Sequence, residues 1–227
     1  MSTTSEEKIR RAIRDAGGVV DLERAKREFS ARAEDEGLLE VAYASVDSPF
    51  GEMLLAATDR GVVKLALPTH AGRELKPDLV LTELATAVSP RVLEAPAKLD
   101  PARRELDLYF EGKLKRFGVP VDWRLAKGFT DKVLHQVARI PYGRTLSYGE
   151  VAAKAGNPRA FRAAGTACGA NPVPLIVPCH RVVQASGDPG NYGGGPEMKR
   201  ALLELEGSLP ASLDARAPRR RSRGATR

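Results

Sequence analysis

The chain has 227 residues, enough for one large domain or two modest ones. With 42 % hydrophobic and 29 % charged residues it has a globular composition, and no stretch approaches the roughly 18–20 apolar residues of a membrane span. The formal charge of +7 permits a polyanionic partner, while two cysteines, Cys168 and Cys179, exclude a disulfide framework and suggest a reducing compartment, so a cytoplasmic location is expected.

Residues 1–40 carry a net charge of −2, and Met1–Glu7 lacks the apolar core of a secretory signal. Residues 5–36 read as one or two amphipathic helices broken at Gly17-Gly18, a helical extension without an assigned function. From Val41 the pattern changes. The runs VAYASVDS, EMLLAATD and VVKLALP read as three short antiparallel strands, separated by Pro49-Phe50-Gly51 and Asp59-Arg60-Gly61. Helices follow near 79–88 and 101–111, the second with Asp100 at the N-cap and Pro101 at the first helical position. A last strand is expected over 117–122. This gives a small α+β domain over 41–128, with no evident catalytic constellation.

Residues 129–207, net +3, read as a mostly helical domain. Thr130 is placed to cap a helix reaching about Arg139. Ser147 and Glu150 form the S-x-x-E capping box of a second helix, with Tyr148, Val151, Ala152 and Ala155 on one face. Gly156 ends it, and Asn157-Pro158 signals the start of a third, so the pair resembles a helix-turn-helix. In that third helix seven of the eleven residues from Ala160 to Ala170 are Ala or Gly. Such a helix can lie close to a neighbouring helix or in a nucleic-acid groove. Arg159, Arg162 and Thr166 share one side, suited to phosphate or groove contact; Phe161, Ala164, Gly165 and Cys168 share another, suited to packing. A last helix begins at Pro196, with Met198, Ala201, Leu202 and Leu205 as its inner face and Glu206 at its end. Residues 208–227, net +5, read as a disordered basic tail, either a non-specific DNA contact or a solubilising arm.

The segment NPVPLIVPCHRVV, residues 171–183, holds three prolines, which exclude a central strand, and then presents Cys179, His180 and Arg181. A thiol is a poor nucleophile until it loses its proton, and a nearby imidazole can accept that proton. Adjacent side chains of an extended chain point opposite ways, so a Cys179–His180 couple needs a bend or a bridging water. The following glycine-rich loop, with Tyr192 and Gly193, lets backbone approach a ligand but lacks a dinucleotide fingerprint.

I-V-P-C-H-R-V-V, preceded by G-N-P-R-A-x-R-A-x-G and N-P-V-P and followed by N-Y-G-G-G and L-L-x-L-E-G, closely resembles the O6-alkylguanine-DNA alkyltransferase family. The likeness is dense over 129–207 and extends through D-S-P-F-G to about residue 41. It implies a ribonuclease H-like N-terminal domain and a winged-helix-like C-terminal domain that together act, as a monomer, on the minor groove of double-stranded DNA. The activity implied is irreversible, single-turnover transfer of an alkyl group from O6 of guanine, and from O4 of thymine, to Cys179, without cofactor or metal. Relatives that carry a zinc site use N-terminal cysteines, and here no cysteine precedes Cys168.

The same resemblance implies the roles of single residues. His180, through a water, is the base and Glu206 orients it. Tyr148 helps rotate the nucleotide out and donates a proton to guanine N3. Arg162 fills the gap in the stack, with Arg159, Ala163 and Thr166 beside it on the DNA. Asn171 ties the recognition helix to the cysteine segment. Tyr192 walls the pocket, the Gly193 N–H meets guanine O6, and the carbonyls of Cys179 and Val182 read the exocyclic amine. Phe161 departs from the small residue expected at its position, either as an extra wedge or as an inward-packing ring, and Gly169 stands where some relatives have arginine. Two other readings remain open at this level: a lesion-binding protein without transfer, and a cysteine hydrolase using Cys179 and His180.

Overall fold

The computed structural model describes Arg32, residues 36–70 and residues 72–209. The helices expected over 5–36 and the tail expected over 208–227 lie almost wholly outside the described residues. The three expected strands are present as β1 (Val41–Val46), β2 (Met53–Thr58) and β3 (Gly61–Ala66), paired antiparallel in sequence order. A fourth, β4 (Val92–Glu94), joins β1 in parallel and makes the sheet mixed, with order β3-β2-β1-β4. Three residues are too few to display alternation, which is why β4 leaves no sequence signal.

Side chains of the sheet divide with period two. Val41, Leu54, Ala56 and Val63 face α1 (Pro77–Ala87) and its buried Leu84. Ala42, Ala44, Met53, Leu55, Val62 and Leu65 face the larger core. That core continues into α2 (Asp100–Phe110), where Ala102, Leu106 and Tyr109 turn inward at i, i+4 and i+7. Leu99, not Asp100, is the N-cap of α2, because the 3-10 turn Pro96–Leu99 runs straight into it. The strand expected over 117–122 is only a single parallel bridge from Val121 to Val62. The Glu105 carboxylate takes the amides of Gly118 and Val119 at 2.8 and 3.2 Å, and Pro120 has none to offer a ladder.

Three helices form the next layer: α3 (Gly128–Val137), α4 (Tyr148–Lys154) and α5 (Phe161–Gly169). Helix α3 starts earlier than expected, since its first bond runs from the Asp131 amide to the Lys127 carbonyl; Thr130 lies inside the first turn and does not cap it. The capping box of α4 is formed as read: Ser147 Oγ accepts from the Glu150 amide at 3.2 Å, and Glu150 Oε2 accepts from the Ser147 amide at 2.7 Å. Helix α5 starts at Phe161, not at Asn157-Pro158. Residues 157–160 form a separate turn closed by the Ala160 amide on the Asn157 carbonyl at 3.0 Å. The chain closes with α6 (Pro196–Leu205), whose buried residues are Met198, Lys199, Leu202 and Leu203, whereas Leu205 is exposed.

Two hydrogen bonds join the layers near the cysteine segment. The Leu65 amide of β3 donates to the Pro172 carbonyl at 2.8 Å, and the Thr69 hydroxyl donates to the Gly194 carbonyl at 3.4 Å. One contiguous apolar cluster runs from Leu55 and Leu106 to Val151, Ala164 and Leu202, so both halves of the chain share a core. Among the described residues no helix is long and apolar enough to cross a membrane. Leu106 is fully buried in this shared cluster. Leu106→Ala is expected to lower unfolding free energy by about 2–5 kcal/mol in urea titration, and a loss below about 1 kcal/mol would show that the core is not continuous there.

Candidate active site

The segment that carries the cysteine is held as a tight turn. Leu175 has a positive φ of 70°, which a branched side chain tolerates only when its surroundings impose it. Asn171 supplies the brace: its Nδ2 donates to the Val177 carbonyl at 2.8 Å and its Oδ1 accepts from the Val173 amide at 3.1 Å. Residues Cys179–Arg181 then form one 3-10 turn, with the Arg181 amide on the Pro178 carbonyl at 2.9 Å. This turn sends Cys179 to a cavity and His180, fully buried, into the core.

His180 meets Glu206 and a residue from the sheet domain. Its Nε2 lies 3.0 Å from Glu206 Oε1 and 3.3 Å from the Tyr109 hydroxyl, which itself donates to Glu206 Oε1 at 2.7 Å. Arg181 grips the same carboxylate with two bonds, Nε to Oε2 at 2.8 Å and Nη2 to Oε1 at 2.9 Å, and anchors its remaining nitrogen on the Ile140 carbonyl at 2.6 Å. The Gly143 amide adds a weaker bond to Oε2 at 3.3 Å. Only glycine fits at 143, since φ is +72° and an added Cβ would stand 2.9 Å from the Glu206 carbonyl oxygen.

These contacts determine where the protons reside. Burial alone would raise the Glu206 pKa, but the hydrogen bonds from His180 and Arg181 outweigh it and hold the carboxyl at about 2. Burial lowers the His180 pKa, and the Arg181 and Lys199 charges add to this against the pull of Glu206, so the imidazole stays neutral near pH 7. Burial raises the Cys179 thiol, with the Asn171 side chain and the Lys199 charge opposing. The resting couple is a neutral thiol and a neutral imidazole. Among the described residues His180 Nδ1 has no hydrogen-bond partner, and with Nε2 directed at the carboxylate it is the nitrogen left to accept a proton.

Cys179 opens onto a cavity of about 460 Å3, within the ~300–1,000 Å3 common for small-ligand sites. Tyr148, Tyr192 and Gly193 line it with Cys179; Gly165, Cys168 and Gly169 of α5 form a further wall. Asn171 and Val182 do not line it. Asn171 is the brace described above, and the buried Val182 accepts the Lys199 ammonium on its carbonyl at 2.6 Å. Tyr148 is half-buried against Gly165, with its hydroxyl pKa pushed up to about 12, mainly by burial and then by the two neighbouring thiols, so it remains a proton donor. Arg159, Arg162, Ala163 and Thr166 are exposed outside the cavity. Phe161 is 49 % exposed rather than packed inward, and the Arg162 guanidinium lies 5.4 Å from its ring centre.

Sequence reasoning missed three residues. Arg181 stood in the motif itself and was given no role. Lys199 reads as a surface charge, yet it is buried and binds the carbonyls of Val182, Pro189 and Asn191, fastening the loop before the glycines to α6. Its only signal was its place between Met198 and Leu202 on the inner stripe. Tyr109 had no local signal beyond ordinary apolar spacing.

The model of the 6-O-methylguanine DNA methyltransferase ribonuclease-like domain matches residues 41–123, and that of the DNA binding domain of the same protein matches 128–208. A methylated-DNA–protein-cysteine methyltransferase of Mycobacterium tuberculosis is 39 % identical over 174 residues, 76 % of this chain and 97 % of that protein. The inducible protein of the same name from Bacillus subtilis is 40 % identical over 162 residues, covering 70 % of this chain and 87 % of that protein. Among solved structures, the M. tuberculosis O6-methylguanine methyltransferase is 39 % identical with a TM-score of 0.61, over 76 % of this chain and 97 % of that one. A crystal structure of M. tuberculosis OGT in complex with DNA is 37 % identical with a TM-score of 0.57, over 74 % of this chain and 93 % of that one.

Because the folded pKa of Glu206 lies below the ordinary 4.5, its contribution to stability is fully present above that value and is lost as pH falls toward about 2. Glu206→Gln strands the buried Arg181 charge and is expected to cost about 3–5 kcal/mol at pH 7. The gap to the parent protein should narrow between pH 4.5 and about 2, measured by denaturant unfolding across pH. A gap independent of pH would contradict the assignment.

Proposed function

The chain belongs to the 6-O-methylguanine DNA methyltransferase family, and we propose that it repairs DNA by moving the alkyl group of O6-alkylguanine onto its own Cys179. The observation that carries this reading is the pairing of a cavity-lining thiol with a neighbouring imidazole whose far nitrogen is held by a buried carboxylate. In the proposed reaction His180 Nδ1 takes the thiol proton through a water. The sulfur attacks the alkyl carbon, the S–C bond forms as the C–O bond breaks, and the electron pair passes into the purine. Tyr148 donates a proton to N3, so guanine leaves neutral; the Tyr148 phenolate then takes a proton back from solvent while the His180 imidazolium releases the one it took from the thiol, so that overall the thiol proton ends on guanine. Thiol and alkylated guanine thus become thioether and guanine, with no cofactor. A thioether does not return to a thiolate, so one protein repairs one lesion. The reading extends to O4 of alkylated thymine, whose alkyl carbon is held by the same kind of bond.

The alkylated atom lies inside a duplex and has to leave the stack to reach Cys179. Helix α5 buries Ala164 and Ala167, and on its outer surface the exposed Arg162, Ala163 and Thr166 stand beside the cavity-lining Gly165, Cys168 and Gly169. This supports minor-groove docking in which Arg162 fills the gap, Arg159 meets the backbone and the base enters beside Tyr192 and the Gly193 N–H. Within this reading 129–207 is the catalytic, DNA-binding unit and 41–128 its support, with 1–40 and 208–227 as extensions. Every group of the relay comes from one chain, which fits a monomer, and the free thiols Cys168 and Cys179 fit a reducing cytoplasm.

Incubation with duplex DNA containing O6-methylguanine should add one methyl to the peptide carrying Cys179, at one equivalent per protein, read by mass spectrometry. Binding without added mass would support lesion recognition instead, and repeated turnover of an ester would support a hydrolase. Base extrusion costs a few kcal/mol, so Arg162→Ala is expected to slow transfer from duplex about 10- to 100-fold while leaving transfer from the free base O6-benzylguanine unchanged. Equal loss on both substrates would remove Arg162 from DNA docking.

A further inference from the structure

The reading above uses Cys179, His180 and Glu206 and leaves Tyr109 without a part. Tyr109 comes from α2 of the sheet domain, 71 residues before His180, and is 1 % exposed. Its ring lies against Phe110, Phe117 and Tyr142, with centroids 5.6, 5.2 and 6.4 Å away, so the packing of α2 and its flanking loop sets where the hydroxyl stands. That hydroxyl has one proton. At 2.7 Å from Glu206 Oε1 it donates to the carboxylate, which is an acceptor only. Toward His180 Nε2, 3.3 Å away, the phenol oxygen can then only accept. Both neighbours of Nε2 are therefore acceptors, and the ring proton belongs on Nε2. Nδ1, which has no partner among the described residues, keeps its lone pair.

We propose that Tyr109 is a positioning residue that holds His180 in the tautomer able to take the Cys179 proton, and thereby couples the N-terminal domain to the reactive thiol. The proposal rests on the reading of Cys179 and His180 given above. Burial and the adjacent Glu206 raise the Tyr109 hydroxyl far above its ordinary value, so it stays protonated throughout the working pH range. Removing only the hydroxyl takes one donor from Glu206 and one acceptor from Nε2. The carboxylate is then freer to stabilise an imidazolium, so His180 protonates at higher pH. The loss of one buried hydrogen bond also weakens the bias between tautomers.

Two measurements test this. Nitrogen-15 spectra of the histidine-labelled protein, which has three histidines, should show His180 as the Nε2–H tautomer. Tyr109→Phe, checked for folding by circular dichroism, should mix the tautomers and slow alkyl transfer from free O6-benzylguanine about tenfold at pH 7. It should also move the acidic limb of the pH–rate profile to higher pH. A slower reaction with an unmoved limb and an unchanged tautomer would assign Tyr109 a packing role only and overturn the proposal, as would profiles that superimpose. If Tyr109→Phe does not fold, the parent spectrum decides, and an Nδ1–H tautomer there overturns it. If the parent protein transfers no alkyl group from free base or duplex, the functional reading fails, while the tautomer comparison still decides the role of Tyr109.

Discussion

The buried carboxylate of Glu206 is the point at which the folded chain closes on itself. Donors reach it from α2 through Tyr109, from the loop after α3 through the Gly143 amide, and from the cysteine turn through His180 and Arg181. A carboxylate taken out of water is costly unless its lone pairs are filled, and here a two-bond guanidinium grip and three further donors fill them. The shared core between the halves of the chain matters for this reason. The donors stand on separate elements, and only correct packing of all of them satisfies the charge. Arg181 neutralises most of it, which leaves His180 oriented by the carboxylate without being forced into its charged form.

The chemistry proposed follows from that balance. A thiol held neutral by burial is protected from adventitious oxidation and alkylation, since the thiolate is the reactive species. It requires a base at the moment of reaction, and a buried neutral imidazole with a free nitrogen meets that need. Lys199 contributes at longer range: its charge favours the thiolate, and its bonds to three carbonyls hold the loop that faces the cysteine. The glycines of α5 keep their wall of the cavity thin.

Local signals in the sequence account well for the sheet meander, the Ser147–Glu150 capping box and the Pro196 start of α6, each of which is decided by residues within a few positions. They misplace the start of α5 because Asn157-Pro158 satisfies a turn of its own before the helix begins. They miss β4 and the Leu175 turn, and they read a whole strand over 117–122 where only the Val121 bridge forms, because these depend on partners far along the chain. In the site, the P-C-H-R run and the terminal Glu206 are legible through their resemblance to a family. Tyr109 and Lys199 are not, because a tyrosine on an apolar stripe and a lysine in a charged helix look the same whether they face the core or water. Their roles arise from contacts between residues distant in the chain.

The central claim is that Cys179 rests as a neutral thiol and gives up its proton only through His180. Thiolate absorbance in the ultraviolet, taken as the difference between the parent protein and Cys179→Ser across pH, tests it directly. The account predicts no Cys179 thiolate at pH 7–8 in a preparation that nonetheless transfers methyl groups stoichiometrically. A full thiolate signal at pH 7 in the free protein would show that the thiol is activated in advance, and would contradict it.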